Sequence, residues 1–137
     1  MDLDRFVKAQ AYDYAQALDE IRRGRKQGHW IWYIFPQIKG LGRSYNSEYY
    51  GIADADEAKA YLEHPLLGDR LREITRALLD LPEGLSAQDI LGGIDAMKVK
   101  SSMTLFYAVS KEQLFMAVLN RFYHGSQDGH TLRMLGL

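Results

Sequence analysis

The sequence predicts an all-α fold, namely a compact single-domain multi-helix bundle over residues 1–137 with one long loop around residues 36–53. Apolar residues recur at steps of three and four along most of the chain, which is the spacing of core-facing helices. Residues that favour helix starts precede several of these segments. No alternating run of β-branched residues with a hairpin turn stands out. A chain of 137 residues suits one domain, and no repeat or linker divides it.

The composition is that of an ordinary globular protein, with 47% hydrophobic and 26% charged residues. The net charge of -1 does not favour nucleic acid or a membrane surface as a partner. Since cysteine is absent, a disulfide scaffold, a thiolate zinc site and a cysteine nucleophile are excluded. The N-terminus from Met1 to Arg5 is acidic, and no apolar run approaches the roughly 18 residues of a membrane span. We therefore expect neither a signal peptide nor a membrane segment, and a cytoplasmic location.

The first half of the chain begins with an amphipathic segment that ends before Gly24, with a break near Ala11 left open. Its apolar positions are Phe6, Tyr14, Leu18 and Ile21. Residues 29–35 read HWIWYIF and are apolar on all sides, so periodicity leaves helix and strand equally open. Pro36 ends this segment. Glycines, Ser44 and Asn46 then predict an extended loop with one short helical turn near residues 48–50.

The second half carries explicit helix-start signals. Three pairs have the spacing of a cap residue and its third helical residue: Asp54 with Glu57, Ser86 with Asp89, and Ser110 with Gln113. Pro65 favours another helix start, with His64 just before it. The following helix has a core-facing stripe at Leu67, Leu71, Ile74, Leu78 and Leu81. A similar pattern runs through Leu114, Phe115, Val118, Leu119 and Phe122, and a last turn is expected at Leu132, Met134 and Leu135.

Positive charge is concentrated in one segment. Residues 21–47 contain six bases and no acid, whereas the rest of the chain has 18 acids and 11 bases. The segment also contains His29, Trp30 and Trp32. Bases beside aromatic rings suit an anion that carries a flat group. The alternative is that the bases form a solvated helix end and that the tryptophans fill the core.

A second chemical feature lies in the segment DAMKVKSS. On a helix, Asp95, Lys98 and Ser102 fall on one side at steps of three and four, next to Ser101. If this stripe is buried, the charges must be paired. Lys98 and the hydroxyls would then offer donors to a carboxylate or phosphate. The alternative is a structural ion pair beside serines that only allow close helix packing.

Common cofactor and metal motifs are not present. His124 and His130 lack the spacing and neighbours of a metal site, and the Gly40-Leu-Gly42 segment lacks the third glycine of a dinucleotide fingerprint. We therefore expect no metal and no cofactor.

Long blocks of the chain resemble a known family. They are GRKQGHWIWYIFPQIKGLGRS from Gly24, EAKAYLEHPLLGDRL from Glu57, and DAMKVKSSMTLF from Asp95. These blocks are similar to the bacterial domain-of-unknown-function family 1810, whose members are often labelled calpastatin. The resemblance implies a small all-α cytoplasmic protein and supplies no catalytic residues to carry over. A calpastatin would be a long disordered inhibitor, whereas this composition is globular.

These features suggest that the two segments converge on one pocket for a small anionic, phosphorylated or nucleotide-like ligand. The expected ligand-binding residues are Trp30, Gln37, Arg43, Lys98, Ser101 and Ser102. Candidates for catalysis are His29, Asp95 and Lys98, with no reaction specified. The alternative function is a non-enzymatic interaction or self-association module with an aromatic surface formed by Phe35, Tyr45, Tyr49 and Tyr50. Nucleic-acid binding rests only on Arg22, Arg23, Arg25 and Lys26 and is not favoured.

Overall fold

The computed structural model describes residues 2–137, and Met1, the first residue of the acidic N-terminus, lies outside the described residues. The predicted all-α fold is confirmed. The nine helices of the described part are α1 (Asp4–Arg22), α2 (Ile31–Ile34), α3 (Tyr45–Tyr49), α4 (Ala55–Glu63), α5 (Pro65–Leu79), α6 (Ala87–Leu91), α7 (Gly93–Ser110), α8 (Gln113–Tyr123) and α9 (Gly129–Met134). Within residues 2–137, no helix has both the length and the apolar character needed to cross a membrane.

Helix α7 is the central element of the bundle, because α2, α4, α6, α8 and α9 all pack against it. Every residue from Ser101 to Phe106 is buried, so no face of this stretch is open to solvent. Two of the three small polar side chains there, Ser101 and Thr104, bond carbonyls of their own helix. The Thr104 hydroxyl, for example, donates to the carbonyl of Lys100 at 2.8 Å. On the other side of the bundle, α5 packs against α1, α4 and α8, and its predicted apolar stripe is buried.

The HWIWYIF segment forms one helical turn, α2, which ends one residue before the C-cap Phe35 and two before Pro36. The loop around residues 36–53 contains α3, whose turn begins at Tyr45, slightly earlier than expected. The ends of this loop meet in an isolated parallel bridge between Ile38 and Ile52. Two backbone hydrogen bonds of 2.8 Å close the bridge, so the loop has defined geometry.

Arg5, near the start of α1, ties the end of this loop to the helical body. Its guanidinium donates to the carbonyls of Tyr49 and Gly51 at 2.9 and 3.0 Å, and it pairs with Glu57 at 2.9 Å. Glu57 in turn accepts the Ala53 N–H at 3.0 Å. Both charged side chains are nearly buried, with 8% and 6% exposure. The pair therefore satisfies backbone groups that the irregular loop would otherwise leave unbonded.

Glu20, in the last turns of α1, organises the connection from α1 to α2. Its carboxylate accepts N–H groups from Gln27, Gly28, Trp30 and Gln16 at 2.7 to 2.9 Å. Burial alone would raise the pKa of this carboxyl group, but the four hydrogen bonds more than offset burial and lower the pKa to about 2. An anionic Glu20 is therefore part of the folded state at neutral pH.

Most of the predicted helix starts are confirmed. Asp54 accepts the Glu57 N–H, and Ser86 and Asp89 form a reciprocal capping box. His64, just before Pro65, accepts the N–H groups of Leu66 and Leu67 through its Nδ1. The predicted start at Ser110 with Gln113 was wrong. Ser110 is the last residue of α7, and its hydroxyl bonds the carbonyl of Phe106 at 2.6 Å. Lys111 adopts the left-handed conformation (φ 58°) that turns the chain, so Glu112 becomes the N-cap of α8.

Helices α4 and α5 meet so closely that position 68 requires glycine. A Cβ atom there would lie 2.1 Å from the carbonyl oxygen of Leu62, which is backbone and cannot swing aside. We expect Gly68→Ala to lower the free energy of unfolding by about 1–3 kcal/mol, despite alanine's higher helix propensity. At Gly93 the nearest atom to a Cβ would be 4.0 Å away, so Gly93→Ala is the matched control and should be neutral or stabilising. Urea unfolding measures both, and equal effects would contradict this account.

Glu20 should give the fold a dependence on acidic pH. Because its folded pKa of about 2 lies below the ordinary value of 4.5, the stabilisation is complete above pH 4.5 and is lost as pH falls towards 2. We expect Glu20→Gln to be about 1–3 kcal/mol less stable than the wild type at pH 6, with the difference shrinking as pH approaches 2. Urea unfolding of both proteins between pH 2 and 6 tests this, and a difference that does not vary with pH would refute it.

Candidate functional site

A groove of about 470 Å³ lies where α7, the 36–53 loop and α9 meet. The first turns of α7 form its floor with Ile94, Met97, Lys98 and Ser101. The loop contributes one wall and α9 with its N-cap contributes the other. The remaining lining residues are Gln37, Gly40, Leu41, Gly42, Ser47, Asp128, His130, Arg133 and Met134. Of the predicted ligand-binding residues, the fold thus brings Gln37, Lys98 and Ser101 together.

Lys98 is the partly exposed cation on the floor of the groove. Its Nζ is 3.8 Å from Asp95 Oδ1, a long ion pair one helical turn away. The other oxygen of Asp95 lies only 2.7 Å from Nζ of Lys26, whose side chain is 7% exposed. Lys26 also donates to the carbonyl of Gly28, which fixes it beside α7. Asp95 is therefore shared by two lysines and held more closely by Lys26, so Lys98 keeps donor capacity towards the groove.

The wall formed by α9 is attached to α7 through Asp128. One carboxylate oxygen of Asp128 accepts from the N–H and hydroxyl of Thr131 at 3.1 and 2.5 Å and from the hydroxyl of Ser101 at 3.2 Å. The N–H of Asp128 donates to the Thr104 hydroxyl at 2.9 Å. This negative charge thus caps α9, and Ser101 has a structural partner as well as a place in the groove.

Arg133 supplies the second cation of the groove. Its Nη2 lies 2.9 Å from Nδ1 of His130, one turn earlier on α9. Because a guanidinium can only donate, Nδ1 accepts and the imidazole carries its proton on Nε2. Together with Lys98, these side chains give the groove two cationic donors and one neutral donor.

The other predicted site residues lie outside the groove. Trp30 is 1% exposed in the core, where its Nε1 donates to Glu20 at 2.9 Å. His29 and Arg43 are exposed and are not among the residues that line this groove. Ser102 is completely buried, and its hydroxyl has no hydrogen-bond partner among the described residues. The ring of Trp30 and the Ser102 hydroxyl are thus enclosed by packing.

Elsewhere the molecule offers weaker sites for an anion. A groove of about 560 Å³ between α1 and α5 is lined by three arginines and three carboxylates, so its charges cancel: Arg22, Arg72, Arg76, Asp69, Glu73 and Asp80. The positive charge of the basic cluster at residues 22–26 is also reduced by ion pairs. Arg23 bonds Asp19 at 2.9 Å, and Lys26 is buried against Asp95.

Sequence reasoning missed the contribution of α9. His130, Arg133 and Met134 follow the one-turn spacing that places them on one helix face, which was the available signal. Ile94 and Met97 were missed because apolar residues on a helix are normally assigned to the core. Here they are 75% and 71% exposed beside the groove. Trp32, which the alternative interpretation placed in the core, is only partly buried and lies under Lys98 with its ring centroid 5.1 Å from Nζ.

Comparison with known proteins identifies the family. The family described as Protein of unknown function (DUF1810) matches residues 1–135. The chain belongs to this family. The chain is similar, with a TM-score of 0.97, to the crystal structure of the conserved hypothetical protein Rv1873 from Mycobacterium tuberculosis at 1.38 Å. The two sequences are 45% identical over 99% of this chain and 97% of that chain. No curated protein matches.

The adjacent serines on α7 of this DUF1810 chain should differ in their effects. Ser101→Ala removes a hydrogen bond to the carboxylate of Asp128 and should cost about 1 kcal/mol of stability. Ser102→Ala removes a buried hydroxyl that has no partner in the described residues, so we expect a change within about 0.5 kcal/mol or a gain. Thermal unfolding of both variants measures this. A larger loss for Ser102→Ala than for Ser101→Ala would show that the assigned contacts are wrong.

Proposed function

We propose that the groove between α7, the 36–53 loop and α9 binds a small anionic ligand of the phosphorylated or nucleotide-like class. The observation that carries this proposal is the arrangement of the charged groups around Lys98. Its carboxylate neighbour Asp95 lies 2.7 Å from Lys26 and 3.8 Å from Lys98. A lysine whose counter-ion is shared with a buried lysine gains by taking an external anion.

The other donors of the groove support the same conclusion. Arg133 can bind a phosphate or carboxylate through two N–H groups, and the amide of Gln37 adds a neutral donor. The one carboxylate of the lining, Asp128, already accepts three hydrogen bonds from Ser101 and Thr131. Its repulsion of an anion is reduced by these donors, and the groove is left with a cationic character.

We propose binding without a chemical step. Of the candidates for proton transfer, His29 is exposed outside the groove, and Asp95 is held between two lysines. In the proposal Lys98 therefore binds the anion and is not assigned as a nucleophile or base.

The second candidate function is protein interaction or self-association. It is favoured by the apolar side chains around the groove, where Ile94 and Met97 are more than two-thirds exposed and Met134 is 48% exposed. The expected aromatic surface gives the interaction function less support than these apolar side chains do. Phe35 is 0% exposed and Tyr50 is partly buried, which leaves Tyr45 and Tyr49, stacked with centroids 5.7 Å apart.

A thermal-unfolding screen with nucleotides, sugar phosphates and small carboxylates tests the first candidate. A ligand at about 100 times its Kd adds roughly 2.7 kcal/mol, which raises the Tm of a domain of this size by several degrees. We expect Lys98→Met to abolish that rise. The matched control is Lys100→Met, because Lys100 is on the same helix and does not line the groove.

Two results would count against the anion site. One is a panel in which no compound raises the Tm of the wild type. The other is an equal response from Lys98→Met and Lys100→Met. If sedimentation then shows a concentration-dependent dimer that Met97→Lys dissociates, the second candidate function takes its place.

A further inference from the structure

A narrow cleft opens from the groove towards α3. It is lined by Trp32, Gln37, Asn46, Ser47, Tyr50 and Gly51, and it shares Gln37 and Ser47 with the groove. Its volume is about 10 Å³, close to the space that one water-sized group needs. The cleft is thus a side compartment of the groove that admits a single oxygen-sized group.

Trp32, one of the residues that line the cleft, carries a buried donor without an acceptor. Trp32 Nε1 is buried and makes no hydrogen bond to any described residue. The indole N–H can only donate, and a buried donor left unbonded destabilises the fold because its hydrogen bond to water is lost and not replaced. The contrast with Trp30 is direct, because the Nε1 of Trp30 donates to Glu20 at 2.9 Å. The free donor therefore favours any occupant that brings an acceptor oxygen into the cleft.

The cleft is constructed by specific features of the loop. Ser44 caps α3 by accepting the Ser47 N–H at 3.1 Å and donates its own hydroxyl proton to the Ser47 hydroxyl at 2.9 Å. Gly51 allows the two ends of the loop to approach, since a Cβ there would lie 2.7 Å from the Cα of Lys39. Arg5 holds the Gly51 carbonyl at 3.0 Å. These contacts hold the walls in place before any ligand arrives.

The donor lies close to the cation of the groove. Lys98 Nζ is 5.1 Å from the centre of the Trp32 ring, which carries the free N–H on its edge. Two oxygens a few bonds apart in one small molecule can therefore meet Lys98 and Trp32 together. One oxygen belongs to an anionic group and the other is a neutral acceptor.

We propose that the cleft is a specificity subsite in which Trp32 Nε1 donates to a hydroxyl or carbonyl oxygen next to the anionic group of the ligand. This inference rests on the proposed anion site at Lys98. It narrows the ligand from any small anion to an oxyanion with an adjacent neutral oxygen, as in a hydroxyalkyl phosphate or a hydroxy acid. A bare phosphate or simple carboxylate would leave the donor unbonded.

Nuclear magnetic resonance of the indole N–H groups tests the inference, because the chain has only two tryptophans. The probes are two pairs that differ by one hydroxyl: 2-hydroxyethyl phosphate with ethyl phosphate, and lactate with propionate. We expect the hydroxylated member of one pair to shift the Trp32 signal and to bind about tenfold more tightly than its partner. The Trp30 signal should stay in place and reports that the fold is intact. The pair that responds identifies the anionic group as phosphate or carboxylate.

Trp32→Phe provides the second arm, because it keeps a ring under Lys98 and removes the N–H. We expect the variant to bind both members of the pair with equal affinity. Equal binding by the wild type, with an unmoved Trp32 signal, would overturn the subsite and leave the cleft as the place of an ordered water. Failure of the proposed anion site looks different, since neither member of either pair would then bind and Lys98→Met would change nothing. If Trp32→Phe does not fold, the wild-type titration alone decides.

Discussion

The carboxylate of Glu20 is the constraint on which the rest of the structure depends. At the end of α1 it accepts four N–H groups, including those of Gln27 and Gly28, and so fixes the irregular connection to α2. This connection places Trp30 in the core and directs Lys26 to the start of α7. A buried anion is tolerated there because four N–H groups donate to it. Glu20 thus helps to set the position of Lys26 beside α7.

That arrangement explains how a nearly neutral chain acquires a local cationic site. Lys26 is buried against Asp95 and takes the closer share of its negative charge, so Lys98 retains a partial surplus on the open side of α7. Opposite it, Asp128 is committed to capping α9, while Arg133 faces the groove. The net charge of the protein carries no information about the local charge of the groove. That local charge is set by which acid lies next to which base.

The groove combines these cations with exposed apolar side chains and a buried indole donor. Ile94 and Met97 lie open to solvent on the floor, which is costly for a surface with no further role. Ile94 and Met97 are apolar and exposed, whereas Trp32 has the opposite imbalance: its polar Nε1 is buried without a hydrogen-bond partner in the described chain. The proposed ligand, an anion with a small organic body that carries an additional oxygen, would relieve both imbalances. The three supporting segments are far apart in the sequence, so only the folded bundle brings these properties together.

The sequence by itself determined the helical class and most helix starts, because the spacing of apolar residues and the capping side chains act locally. The stripe from Leu67 to Leu81 and the N-caps Asp54 and Ser86 needed no tertiary information. Within the candidate site, the sequence drew attention to Gln37, Lys98 and Ser101. It could not tell that Trp30 is sealed in the core, that Lys26 competes for Asp95, or that α9 forms a wall of the groove. Those facts depend on contacts between residues distant along the chain, since burial and the choice of partner for a charge are decided by packing rather than by spacing.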